Sequence, residues 1–238
     1  MVRVVEWGVS ENLVLASKYN KNIRCLSIMK RIAVDYPILV RDEVAKKLAS
    51  VAEKLSKNLL LQVDSGYRSI ETQKIVWQFR YDENRRKFTD LPEDKINEIT
   101  RKLVFDPASG TPPHSTGGAV DVCLKYLNGG EVNLAAPFTK YYAEPQLISD
   151  KITKEAQELR LLLNKLMLEQ GFAPNPREHW HFSYGDKDWA NHYMKPQIYN
   201  AINVKDVTLF PIYERTWYRA VRKLWRTLNQ YLRFQTNY

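Results

Sequence analysis

The sequence predicts an α+β fold: a compact single domain with a central, mostly antiparallel sheet flanked by helices, plus a C-terminal helical extension. Three observations carry this. Two short stretches, "GAVDVCL" (118–124) and "WHFSY" (180–184), alternate like strands among longer segments of helical period. The order along the chain is irregular part, helix, strand, two helices, strands, helix, strand, tail, without the regular strand–helix alternation of a doubly wound sheet. The 238 residues, 44% hydrophobic and 26% charged, suit one domain with an appendage and are enough for a real core. The boundaries read as 1–202 for the domain and 203–238 for the extension.

Residues 1–40 are irregular by pattern, apart from the apolar run "YPILV" (36–40). "DEVAKKLASVAEKLSKN" (42–58) then places Val44, Leu48, Val51 and Leu55 at helical spacing. Acids open that helix and lysines crowd its end, as the helix dipole prefers. "LLLQVDSGYRS" (59–69) reads as a buried strand running into a glycine turn, with Ser69 placed to cap the helix "IETQKIVWQFRYD". "LPEDKINEITRKLVF" (91–105) is a further helix with Pro92 and two acids in its first turn. "DPASGTPP" (106–113) is a loop. In 118–124, Ala119, Asp121 and Cys123 share one strand face. "LNGGEV" (127–132) reads as a hairpin turn. "KEAQELRLLLNKLMLEQG" (154–171) is the clearest helix, with Leu159, Leu162, Leu163, Leu166 and Met167 on one stripe and Gly171 placed to end it.

Composition narrows the function classes. The net charge of +9 is compatible with an acidic partner and equally with a soluble basic protein. No stretch approaches the roughly 20 apolar residues of a membrane span. The N-terminus carries Glu6 and Glu11 and does not read as a secretory signal, so a cytoplasmic location is expected. Two cysteines, Cys25 and Cys123, are too few for a disulfide scaffold and are expected as thiols.

Three of the four histidines fall in "HSTGGAVD" (114–121) and "EHWH" (178–181), each time beside a carboxylate. Zinc in hydrolases commonly takes three His or Asp/Glu ligands and leaves a position for water. His114, Asp121 and His181 are candidate ligands, with Gly117 and Gly118 letting the chain turn so that the first two reach one ion. Glu178 is the candidate base. Residues three apart on a regular strand point to opposite faces, so this arrangement needs a turn or bulge near His179. His179 competes with His181, because residues two apart share a face. Cys123 is either a further ligand or a small buried residue, and His192, in the polar "DWANHYMK", is expected at the surface. The spacings alone are equally compatible with no metal site.

"PPHSTGGAVDVCL" (112–124) resembles the Ser-x-His-x-x-Gly-x-Ala-x-Asp motif of the zinc D-alanyl-D-alanine dipeptidases. "EHWHFSYGDKDWA" (178–190) resembles their second motif, and "SGYRS" (65–69) their Gly-Tyr-Arg segment, in the same order along the chain. The resemblance runs from about residue 15 to 200 and implies a compact α+β domain with a central antiparallel sheet. It implies zinc held by His114, Asp121 and His181, with Glu178 as base and Arg68 stabilising the developing oxyanion. Tyr67, Ser115, Thr139 and Trp180 are the candidate substrate-contacting residues.

Three positions depart from the family pattern. Pro112 stands where the first motif usually has Ser, and His179 replaces a common Trp. In "APFTKYY" (136–142), Thr139 occupies the place of an acid that in the family helps hold the free amino group of the dipeptide; Glu144 is nearby in sequence. Beyond residue 202, Trp217, Val221, Leu224, Trp225, Leu228 and Leu232 form a helical stripe surrounded by arginines and a lysine. Such a basic amphipathic helix packs on its own domain or docks, through 214–234, on a membrane surface or a protein. The expected function is zinc-dependent hydrolysis of small D-amino-acid peptides, most simply D-alanyl-D-alanine. The alternatives are a D,D- or L,D-carboxypeptidase or endopeptidase acting on longer peptidoglycan stem peptides, and a zinc-containing binding protein that has lost catalysis. A nucleic-acid partner rests on charge and the tail alone and is not expected.

Overall fold

The computed structural model describes residues 13–25, 38–128, 130, 132–136 and 144–202. Thr139 and the basic helix expected within 203–238 lie outside them.

Among the described residues the centre is a five-stranded sheet in the order β2 (Arg24–Cys25), β4 (Leu59–Ser65), β5 (Val120–Tyr126), β7 (Glu178–Ser183), β6 (Ala173–Asn175). β2 and β4 run parallel; the other pairings are antiparallel. The α+β architecture expected from the element order is therefore the one observed. A separate two-stranded ribbon pairs β1 (Leu13–Leu15) with β3 (Leu39–Arg41), so the part that looked irregular by pattern contributes three short strands.

α1 (Asp42–Lys54) buries Val44, Ala45, Leu48, Ala49 and Val51. α4 (Lys154–Glu169) buries Leu163, Leu166 and Met167, with Leu159 and Leu162 half-buried at the margin. Both helices meet the sheet in one apolar core with Leu61, Val63, Val120, Val122, Leu124 and Phe182. Ser69 caps α2 as the sequence predicts, accepting from the Thr72 N–H at 3.1 Å. α2 (Ile70–Lys87) runs five residues beyond the 70–82 segment and fully buries only Gln73 and Asn84. Asn84 explains how so polar a helix is held: its Nδ2 donates to Thr100 Oγ1 of α3 (Glu93–Arg101) at 3.0 Å. Pro92 stands at the cap of α3 rather than inside its first turn. The 127–132 turn is closed by Tyr126 N–H donating to Gly130 O at 3.2 Å. It does not make the expected hairpin: no strand follows it before α4 among the described residues, and β5 pairs instead with β4 and β7. None of the described helices is long and apolar enough to cross a membrane.

Arg160 is a charge in the middle of α4 that the apolar pattern did not anticipate. It is fully buried and donates from Nε to Leu134 O at 2.6 Å and from Nη1 to Gln146 O. The guanidinium thereby ties the chain on both sides of 137–143 to the core helix. Leu134 is buried, and a buried carbonyl left without a donor costs about 1–3 kcal/mol. Arg160→Met is expected to lower unfolding free energy by about 1–3 kcal/mol, read from urea denaturation; a change under about 0.5 kcal/mol would remove Arg160 as the clamp.

Candidate active site

The site is built where β5 and β7 run side by side. Their register pairs Val120 with Phe182 and Asp121 with His181, so a carboxylate and an imidazole project from the same face of adjacent strands. His181 Nδ1 lies 2.9 Å from Asp121 Oδ1. His114 arrives from a 3-10 turn, Pro113–Thr116, just before β5. Its Nε2 is 3.4 Å from Asp121 Oδ2. The two imidazole rings meet edge-on, with centroids 4.9 Å apart. One potential ligand atom from each of the three buried residues lies within 4.8 Å of the others.

Backbone groups fix the orientation of these side chains. His114 Nδ1 is 2.9 Å from the Gly66 carbonyl, which can only accept. The proton therefore sits on Nδ1 and the Nε2 lone pair is free for a cation. Gly117 ends the 3-10 turn in a left-handed conformation, φ 73°. Gly118 then passes so close to β7 that a Cβ would strike the Tyr184 carbonyl. These are the two glycines expected to bring His114 and Asp121 together. Arg41, which the sequence did not single out, holds the same turn from outside. Its Nε donates to Thr116 O at 2.8 Å and its N–H to Gly117 O at 2.9 Å.

The irregularity needed near His179 is present. Pro174 of β6 pairs with Phe182 of β7, but the next residue, Asn175, pairs with Glu178. The extra β7 residues break the alternation, and Glu178 faces the charges of His181 and Asp121. Asn175 Nδ2 donates to Glu178 Oε2 at 3.4 Å. His179 leaves the cluster: it is buried, its N–H donates to Pro145 O at 2.8 Å, and its ring packs against Trp180 with centroids 4.9 Å apart. Arg68 is oriented by Gln73 Oε1, 3.0 Å from Nη1, and Ser65 Oγ, 3.1 Å from Nη2. The charges it faces are Asp121 and Glu178.

The remaining candidates fall around this centre. Tyr67 is buried with Leu13, Leu39 and Ile202 in a small second apolar cluster. Ser115 is buried, and its carbonyl accepts from Ile202 N–H at 2.9 Å. Trp180 is half-buried. Glu144 is engaged elsewhere, accepting from Ser149 Oγ at 3.0 Å and pairing with Lys151 Nζ at 3.2 Å. Cys123 receives a hydrogen bond from Gln62 Nε2 at 3.4 Å and is not part of the ligand cluster. His192 is exposed, as expected.

The electrostatics suit a cation. Burial alone would raise Asp121, but the two imidazoles at its oxygens outweigh it and hold the carboxyl well below the usual range. Burial pulls both histidines toward neutrality. It prevails for His114, which is lowered. For His181 the hydrogen bond and charge of Asp121 prevail and push it up to about 9. Burial also pushes Glu178 up, against the pull of His181, Arg177 and Arg68. A raised carboxyl suits a group that must both take and return a proton.

A cation that takes His181 Nδ1 must displace its proton. Cation affinity is therefore expected to rise with pH, by up to about tenfold per unit, until the pH passes the value of about 9. Calorimetric titration in buffers of different ionisation enthalpy should read about one proton released per ion at neutral pH; no proton release would refute the assignment. In the cation-free protein the raised His181 contributes stability that is fully present below its ordinary value of 6.5 and is lost as pH climbs through about 9.

Comparison with known proteins places the chain. A family model described as D-ala-D-ala dipeptidase matches residues 12–199, from β1 through α5 (Lys187–Tyr193). A D-alanyl-D-alanine dipeptidase from Synechocystis sp. is 40% identical over 93 residues, which cover 34% of this chain and 38% of that protein. One from Escherichia coli is 26% identical over 145 residues, covering 61% and 65%. The chain thus spans less than two thirds of the length of these curated relatives. Two solved structures are similar. A mutant of the vancomycin resistance D,D-pentapeptidase VanY in complex with Zn(II) has 17% identity and a TM-score of 0.42, covering 63% of this chain and 75% of that one. VanYB in complex with D-alanine-D-alanine has 16% identity and a TM-score of 0.44, covering 73% and 93%. With the family model running through all the elements that build the site, the chain belongs to the D-ala-D-ala dipeptidase family of peptidases.

Proposed function

We propose that this protein is a zinc-dependent peptidase that hydrolyses small D-amino-acid peptides, D-alanyl-D-alanine first among them. The observation that carries the reading is the convergence of His114, Asp121 and His181, with ligand atoms within 4.8 Å of one another, where Glu178 and Arg68 also bring their charges. Two imidazoles and a carboxylate are a zinc donor set that leaves a coordination position open. The Gly66 carbonyl at His114 Nδ1 turns that ring's Nε2 toward the centre, where His181 Nδ1 already faces Asp121. Zinc, when bound there, supplies a Lewis acid that makes water nucleophilic near neutral pH and polarises the scissile carbonyl.

The chain's own residues do the rest. Glu178 takes the attacking water's proton on its carboxylate and delivers it to the peptide nitrogen as the C–N bond breaks, so the same group is base and then acid. Arg68, held by Gln73 and Ser65, presents a fixed positive charge to the carbonyl oxygen as that oxygen becomes negative. Ser115, Trp180 and Thr139 complete the proposed substrate contacts. Tyr67, through its burial beside Arg68 in sequence, fixes the segment that carries the guanidinium.

Turnover by the zinc-loaded protein, followed by mass spectrometry, tests the reading on D-Ala-D-Ala, an N-acylated analogue and L-Ala-D-Glu. Cleavage of the first is expected; cleavage of none of them would favour a binding role and end the peptidase reading. Glu178→Ala should lower kcat by roughly 10²–10⁴-fold while zinc content stays stoichiometric. Arg68→Ala should lower kcat by about 10²–10³-fold, with a smaller effect on KM. Full activity in either variant would remove that residue from the mechanism.

A further inference from the structure

One buried acid on the site's side of the sheet has no part in that mechanism. Asp64 lies on β4, which pairs with β5 through Gln62 opposite Cys123, Val63 opposite Val122 and Ser65 opposite Asp121. Asp64 is therefore the extra residue of a bulge, two β4 residues standing against one on β5. Its side chain shares a face with Gln62, whose Nε2 donates to Asp64 Oδ1 at 2.6 Å and to Cys123 Sγ at 3.4 Å. Cys123 and Asp121 are two apart on β5 and share a face, so this is the face that bears the proposed ligands. The bulge brings the Asp64 carboxyl alongside Asp121, and the two charges oppose each other.

The carboxyl is built in and costly. It is buried, and Gln62 and Cys123 restrict its orientation. Burial pushes it up to about 6, against the pull of Cys123, Gln62 and Lys125, and Asp121 adds to the rise. A carboxylate in that position is stabilised by an arriving positive charge. The proposed substrates carry one positive group near the reacting bond, the free ammonium, two bonds from the scissile carbonyl carbon. Adjacent strands are about 4.8 Å apart, and diagonal side chains about 7–8 Å at the backbone. A carbonyl held beside Asp121 therefore brings its ammonium within reach of a carboxylate alongside Asp121.

We propose that Asp64 receives the free ammonium group of the peptide substrate and so selects peptides with an unblocked N-terminus. The assignment rests on the peptidase reading above. It makes Asp64 a substrate-binding residue and leaves the proton transfer to Glu178.

Asp64→Asn removes the charge while keeping the shape and the oxygen that accepts from Gln62. Kinetics of the zinc-loaded full chain compare D-Ala-D-Ala with N-acetyl-D-Ala-D-Ala. The variant should lose about 10–100-fold in kcat/KM on the free dipeptide, mostly through KM, and change little on the acetylated one. Equal losses on both peptides, or an unchanged KM for the free dipeptide, would overturn the assignment. Calorimetric binding of both peptides to Glu178→Gln, with and without Asp64→Asn, reads the same selectivity without turnover. If the wild type cleaves neither peptide, the peptidase reading fails, while binding still judges Asp64. Preference for the free amine that vanishes with Asp64→Asn supports it; no such preference, or no binding at all, overturns it. Cleavage of the acetylated peptide alone sinks Asp64 and keeps the peptidase. Should Asp64→Asn not fold, Asp64→Glu, which keeps the charge and moves it by one methylene, should shift the KM of the free dipeptide selectively; an unmoved selectivity counts against the proposal.

Discussion

The register that sets Asp121 opposite His181 is the constraint on which the rest of the site depends. A slip of one residue between β5 and β7 would turn one of the two side chains to the opposite face and dissolve the cluster. That register is held by apolar contacts on the other side of the sheet, where Val120, Val122, Leu124 and Phe182 pack into the core with α1 and α4. The hydrophobic effect thus fixes the geometry of groups it does not touch. Asp121 then stands between the two imidazoles, one beside each carboxylate oxygen.

Two interruptions of regular pairing supply what straight strands cannot. Between β6 and β7 the extra residues let Glu178 and His181 share a centre although they are three apart. Between β4 and β5 a single extra residue brings Asp64 beside Asp121. Both bulges fall at the same end of the sheet, where charge is concentrated and buried. Burial first, and the charge of Asp121 after it, push Glu178 and Asp64 in the same upward direction there.

The loops that reach this end are secured by arginines acting on backbone carbonyls. Arg41 holds the turn that carries His114, and Arg160 holds the chain on either side of 137–143. Neither contact is local. Arg41 and Thr116 are 75 residues apart, and Arg160 and Leu134 are 26 apart. Arg68 is held by side chains instead, those of Gln73 and Ser65, and the charges it faces are those of Asp121 and Glu178.

The sequence by itself determined the α+β class, the cap at Ser69, the apolar faces of α1 and α4, and which residues could meet. These are legible because helical and strand periods, caps and motif spacing are properties of neighbouring residues. Even the need for a bulge near His179 followed from the geometry of a strand. Only the tertiary structure decided that β5 would pair with β4 and β7 rather than form a hairpin after Tyr126. It also decided that His179 would be tied by its N–H to the Pro145 carbonyl, that the Gly66 carbonyl would set the tautomer of His114, and that Asp64 would stand next to Asp121. Each of these depends on the relative placement of segments distant in the chain. Local pattern says which face a residue occupies; only packing sets which distant residue it will meet there.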